Sequence, residues 1–226
     1  MSTYLIINII IIAFPLTFSF WPRIRYYKKW PFLFLSILIT GPIYIFWDVL
    51  VTLRGDWSFN KSHVGSFNLF HLPVEEILFF ITAPYSCIFI YESLNTFIKD
   101  KKVAYNPYIY YGVIVLLLGL AFFYRAQDYT LLALLSCAFF LITALIIRPA
   151  MLSSRLYWGY ILISFVAFFI FNYVLTSYPV VIYNPKAIWG LRITTIPLED
   201  FFYNYSMLSF YLFFYQFFQK NKKKAG

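Results

Sequence analysis

Two short stretches of this chain set paired acids behind a proline and in front of aromatic rings. "FHLPVEEILFFI" covers Phe70–Ile81 and "TIPLEDFFYNYS" covers Thr195–Ser206. Each carries Pro-x-acid-acid: Pro73, Glu75 and Glu76 in the first, Pro197, Glu199 and Asp200 in the second. Neighbouring carboxyls in a dry site cannot both ionise easily, so one keeps its proton while the other stays charged. That puts an acid and a base in one cluster, and Glu75, Glu76, Glu199 and Asp200 are the candidate catalytic residues. Residues three and four apart share a helix face, which sets Phe79 over Glu75 and Glu76, and Tyr203 over Glu199 and Asp200. Ring faces attract cations without offering them a nucleophile. Phe79, Phe80, Phe202 and Tyr203 are therefore candidate substrate-binding residues around a cationic intermediate. Asp48, Asn172 and Arg192 are polar candidates at the same depth, and His71 flanks the first motif. The same letters also spell a good helix start, since proline suits the first helical position and acids suit the positive end of the dipole. From these residues alone both readings stand.

The surrounding chain is apolar. Of 226 residues, 62% are hydrophobic and 12% charged, against about a quarter charged in a soluble domain. The apolar residues fall in runs long enough to cross a bilayer. Seven helices are expected: Tyr4–Phe20, Pro31–Thr52, Leu72–Leu94, Pro107–Tyr124, Tyr129–Ile147, Tyr157–Ser177 and Pro197–Phe218. The fold class is an all-α membrane protein with seven transmembrane helices and little chain left for a separate soluble domain. The first run lacks a basic leader, and Pro22-Arg23 follows it instead of a small-residue cleavage site, so it reads as a retained helix. Cys87 and Cys137 lie inside apolar runs and read as buried free thiols.

Charge gives the orientation. The connections after helices one, three and five, with the C-terminal tail, hold thirteen of the eighteen Lys and Arg. These are Arg23, Arg25, Lys28, Lys29, Lys99, Lys101, Lys102, Arg148, Arg155, Lys220, Lys222, Lys223 and Lys224; the other side has Arg54, Lys61, Arg125, Lys186 and Arg192. The positive-inside rule then sets the N-terminus outside and the C-terminus in the cytoplasm. The same distribution turns the net charge of +9 away from nucleic acid and toward lipid headgroups, with the tail as an anchor on anionic lipid. Asp48, Asp56, Glu75, Glu76, Asp128, Glu199 and Asp200 are biased to the outer side, with Glu92 and Asp100 toward the inner one.

The two motifs stand 124 residues apart, and the register extends beyond them. "WSFNKSHVGSFNLFHL" aligns with "VIYNPKAIWGLRITTI", bringing Asn60 onto Asn184, and "FWDVLVT" lies near "FNYVLT". Helices one to three thus correspond to five to seven as a parallel repeat joined by helix four. The divisions are an N-terminal repeat 1–106, a linking helix 107–124, and a C-terminal repeat with its basic tail, 125–226. If the halves pack face to face, their acids meet in one pocket.

No G-x-G-x-x-G, Walker motif, zinc spacing or nucleophile elbow occurs, so no cofactor or metal is expected. No lysine lies mid-helix to form a retinal Schiff base. The four acids could hold Mg²⁺, which keeps open a Mg²⁺-dependent intramembrane prenyltransferase. A non-catalytic carotenoid-binding or transport protein is the third possibility.

"LPVEEILFF" and "IPLEDFFYN", on a seven-helix chain of this size with a parallel repeat, resemble the flavin-independent lycopene cyclases in their fused, single-chain form. The resemblance covers essentially the whole chain. It implies a lycopene β-cyclase of the cell membrane that isomerises the acyclic ends of lycopene into β-ionone rings without redox change. An acid would protonate C2 and leave a cation at C1, C6 would attack C1, and loss of the C6 proton would complete the ring. The implied partners are lycopene or a related acyclic carotenoid, membrane lipid and other carotenoid-pathway enzymes. The resemblance extends to the intramembrane aromatic prenyltransferases, whose acidic loops face the cytoplasm, opposite to the charge reading here.

Overall fold

The computed structural model describes residues 1–225. The side chains of Lys222, Lys223 and Lys224, expected to anchor the tail, lie outside the described residues. The chain is mostly helical. Its long helices are α1 (Thr3–Phe18), α2 (Trp30–Arg54), α3 (Val74–Phe97), α4 (Pro107–Phe123) and α5 (Asp128–Ile147). A one-turn helix, α6 (Pro149–Leu152), leads to α7 (Arg155–Ser177) and α8 (Leu198–Ala225). Among the described residues, four spans are long and apolar enough to cross a membrane: Tyr26–Arg54, Val74–Phe97, Asp128–Ile147 and Arg155–Ser177. The apolar α1 and α4 are shorter. Outward rings and aliphatics such as Phe46, Phe122, Phe139, Ile146 and Leu162 stay exposed. So much bare apolar surface fits lipid, not water.

Local signals set several boundaries. Ser2 caps α1, accepting from the Leu5 N–H at 3.2 Å. Asn106 and Ser154 cap α4 and α7. Gly55 ends α2 at φ 77°, a left-handed turn that costs glycine nothing. The helices containing the acids begin differently from the expectation. Pro73 is not the first residue of α3 but the cap before it, extended at φ −56° and ψ 143°. It closes a short hairpin, β2 (Asn68–Leu69) with β3 (Leu72–Pro73), whose turn residues Phe70 and His71 both have positive φ. Two-residue hairpin turns take that geometry because it matches strand twist. The hairpin β5 (Arg192–Ile193) with β6 (Ile196–Pro197) opens α8 in the same way.

Further strands join the two loops. β1 (Trp57–Phe59) pairs antiparallel with β4 (Val181–Tyr183), matching Trp57 to Tyr183, Ser58 to Ile182 and Phe59 to Val181. Each partner differs from its mate's 124-residue counterpart by reflection about Ser58 and Ile182, so a local twofold axis passes there. The flanking bonds obey the same relation: the Asn60 N–H donates to Val180 O, and the Asn184 N–H donates to Asp56 O. The acid-bearing ends of α3 and α8 therefore lie beneath one small β layer.

α3 and α8 are the central helices. α1 packs on α3 and α5 on α8, while α4 lies against α5. The second helix of each half crosses over: α2 packs on α8 and α7 on α3. Buried polar groups tie these contacts. Ser36 and Tyr44 of α2 donate to Tyr211 O and Ser206 Oγ of α8. Tyr160 of α7 donates to Leu208 O. At the far end, Glu92 is buried between Lys29, Tyr215 and Gln219, joining the turn just before α2 to α3 and α8. Cys87 and Cys137 are buried and unpaired.

Candidate active site

The two acids of each motif point in different directions because they are adjacent on a helix. Glu75 turns toward its own loop, where its Oε1 accepts from Ser2 Oγ at 2.5 Å and from the Gly65 N–H at 2.8 Å. Gly65 passes so close that an added Cβ would sit 2.7 Å from that oxygen. Glu199 does the same in the other half, accepting from Thr130 Oγ1 and the Trp189 N–H. Both carboxyls are buried fasteners between a helix start and a loop.

Glu76 and Asp200 turn inward and line one cavity under the β layer. The space inside it amounts to about 120 Å³. Asp48, Asn172, Phe79 and Tyr203 join them in its wall. Tyr4, Trp57, Tyr129, Tyr183 and Asn204 complete the polar and aromatic end. Asp48, Glu76 and Asp200 are respectively 1%, 8% and 4% exposed, so three carboxyls are nearly withdrawn from water. Ionisable groups at such a cost in a membrane protein point to function.

The carboxyls have unequal partners. Asp200 takes three donors: Tyr129 Oη at 2.7 Å, Asn172 Nδ2 at 2.8 Å and Tyr183 Oη at 2.8 Å. Tyr183 lies on β4, outside the helices. Burial, then the Asp200 carboxylate, pushes its phenol well above its ordinary value, so it stays a donor. Glu76 takes one phenol, Tyr4 Oη at 2.7 Å, and shares the cavity wall with the carboxyl of Asp48. Asp48 in turn accepts from Tyr203 Oη at 2.9 Å. Two carboxyls that share a dry wall cannot both ionise easily.

Other sequence candidates lie elsewhere. Phe80 is sealed in the core at 1% exposure, and Phe202 packs against the same core. Arg192 is exposed, donates to Thr195 O at 2.6 Å and stands over the Tyr183 ring. His71 is exposed in its hairpin turn. Sequence reasoning missed Tyr4, Tyr129 and Tyr183. The first two open α1 and α5 at nearly the repeat spacing, a signal that was available. Tyr183 reaches Asp200 through a loop whose strand pairing is long-range, and no local pattern marks it. Asn204, 5% exposed, carries an amide nitrogen with no protein partner. Among the described residues, no three His, Cys, Asp or Glu side chains cluster as a metal site would require.

The arrangement supplies two carboxyls, Asp48 and Glu76, a third, Asp200, held by three donors, and aromatic rings in the same wall. A family model described as lycopene cyclase matches residues 1–94 and 126–218, leaving out the stretch that contains α4. No curated protein and no solved structure matches the chain.

Proposed function

Because the chain belongs to the lycopene cyclase family, and so to carotenoid biosynthesis, we propose that it is a lycopene β-cyclase in which the two halves divide the acid and base roles. The carrying observation is the unequal company of the cavity's carboxyls. Asp48 and Glu76 share one wall of the cavity and have one phenol donor each. Asp200 has three donors.

The steps follow from that inequality. The Asp48–Glu76 pair holds a proton and delivers it to C2 of the terminal double bond, leaving a cation at C1. C6 attacks C1 and closes the six-membered ring, moving the positive charge to C5. Asp200, kept anionic by Tyr129, Asn172 and Tyr183, faces this charge together with the rings of Phe79 and Tyr203. It then accepts the C6 proton. One proton enters and one leaves, so the product is an isomer and no electrons are exchanged. Glu75 and Glu199 support the site by holding the loops that carry Trp57 and Tyr183.

The repeat reading accompanies this proposal. Residues 1–106 and 125–226 act as two parallel halves around helix 107–124, giving seven membrane crossings. Matched hydrogen bonds 124 residues apart support it. The thirteen-to-five charge bias supports an outer N-terminus and a cytoplasmic C-terminus, with the acids near the outer face. Membrane lipid and other carotenoid-pathway enzymes would be its neighbours.

The test is expression in a lycopene-accumulating bacterium, with pigments separated by chromatography. Conversion of red lycopene to β-carotene is the expected result. Unchanged lycopene, with the protein present in the membrane, would discard the reading. Activity that requires Mg²⁺ and an isoprenoid diphosphate would favour prenyl transfer instead.

A further inference from the structure

The acid-lined cavity does not stop at the chemistry. It runs down one face of α3 through Phe79, Ala83, Cys87 and Ile90, facing Ser164, Ala167 and Phe171 of α7. Ile90 also lines a second, wholly apolar groove that continues to Leu94 and Phe97, walled by Phe14 and Phe18 of α1 and Ile163 of α7. Ile90 lines both, and together they follow one stretch of α3 from Glu76 to Phe97. Twenty-one residues at 1.5 Å each make it about 31 Å long, close to the ~30 Å hydrocarbon thickness.

The matching positions 124 residues away carry larger side chains. At the 124-residue spacing, Ala83, Cys87 and Ile90 become Met207, Tyr211 and Phe214. Tyr211 is fully buried, with its hydroxyl on Phe80 O. Opposite, Ala167 and Phe171 become Ile43 and Trp47. There the rings of Tyr44, Trp47 and Tyr203 pack with centroids 5.1–5.7 Å apart. Small residues line the first furrow where larger ones stand at the matching positions.

We propose that the furrow along α3, between α1 and α7, is the single polyene channel of this enzyme, and that it admits one end of the carotenoid at a time. The acyclic end group sits by Glu76 and Asp200 while the conjugated chain lies along α3 toward Phe97. A second ring then requires release of the monocyclic product and its return in the reverse direction. Each passage adds a proton at C2 and removes one at C6. A polyene fits this furrow better than a lipid chain because the furrow ends at acids, which can protonate a terminal double bond and have nothing to react with in a saturated tail tip. This inference rests on the cyclase reading above.

The experiment uses membranes containing the full chain and lycopene. Ring formation by the unaltered protein is measured first; its failure would sink the cyclase reading and not the channel alone. Ala83→Leu and Ala83→Phe are then expected to lower ring formation progressively, by more than ~20-fold for the larger side chain. Ala167→Phe, on the opposite wall, repeats the test should the first variant misfold. Leu116→Phe, on the exposed face of α4, is the bulk control and should retain activity. Wild-type rates in folded Ala83→Phe and Ala167→Phe proteins would mean the furrow holds only lipid, and would overturn the proposal. An isotopic chase gives the second arm. With unlabelled monocyclic carotene added during turnover of labelled lycopene, label should enter the monocyclic pool before it reaches bicyclic product. Label that reaches bicyclic product without entering the pool would mean both ends close without release, contradicting one-ended access.

Discussion

The two inward-facing acids stand 124 residues apart on α3 and α8, yet their surroundings differ. Asp48 stands in the cavity wall with Glu76; at the matching position Asn172 donates to Asp200. An amide can only stabilise the carboxylate by donation, whereas a second carboxyl must share a proton with the first. Tyr183 adds a further donor to the second site, while its 124-residue counterpart, Phe59, carries no donor to the first. On the proposed reading one scaffold occurs twice, and small side-chain changes would give one half the acid and the other the base.

Breaking the comparison outright should have the largest effect. Glu76→Gln removes the deliverable proton and is expected to lower ring formation by roughly 10³-fold or more. Asp200→Asn removes the anion facing the cation and should cost about 10²–10³-fold. Both are read as initial rates in membranes matched for protein content. Asp48→Asn converts the first site to the pattern of the second, and a drop of about 10²-fold is expected. The sharper form is the double exchange Asp48→Asn with Asn172→Asp, which moves the carboxyl pair to the other half. It should recover about tenfold over Asp48→Asn alone. Losses that simply multiply would show that pairing is not what matters.

Smaller effects are expected at the supporting groups. Tyr183→Phe deletes one of three donors and should lower the rate about tenfold. Because its phenol is shifted upward, it stays protonated as pH rises through the ordinary tyrosine value near ~10. The alkaline limb of the pH–rate profile should therefore lie in the same place in wild type and Tyr183→Phe. Glu75→Gln and Glu199→Gln leave the cavity wall intact and alter only the loop fastening. They should reduce the rate a few-fold and lower thermal stability by about 1–2 kcal/mol, measured by unfolding in detergent. A loss at Glu75 equal to that at Glu76 would remove the division drawn between them.

Much of this was legible in the sequence. Helix positions followed from apolar runs, and the long helices fall where expected. The motif spacing marked both central helices, and Asp48 and Asn172 stood out as polar residues in apolar surroundings. Which acid of each pair faces inward was not legible, because a hairpin turn ahead of Pro73 and Pro197 sets the rotation of the helix start. The donors on Asp200 were hidden for a similar reason: Tyr183 arrives through strand pairing with Trp57, far away in the chain. The furrow depends on packing among three helices. Ala83 and Ala167 carry no signal until α3 and α7 are placed side by side.

The most direct measurement is the mass of the cyclised carotene formed by the wild-type protein in D₂O. With separate acid and base, each ring should carry one deuterium at C2, because the Asp48–Glu76 pair refills from solvent while Asp200 discards the C6 proton. Rings formed with little or no deuterium would mean that one carboxyl takes the departing proton and returns it to the next substrate, contradicting two sites with divided roles.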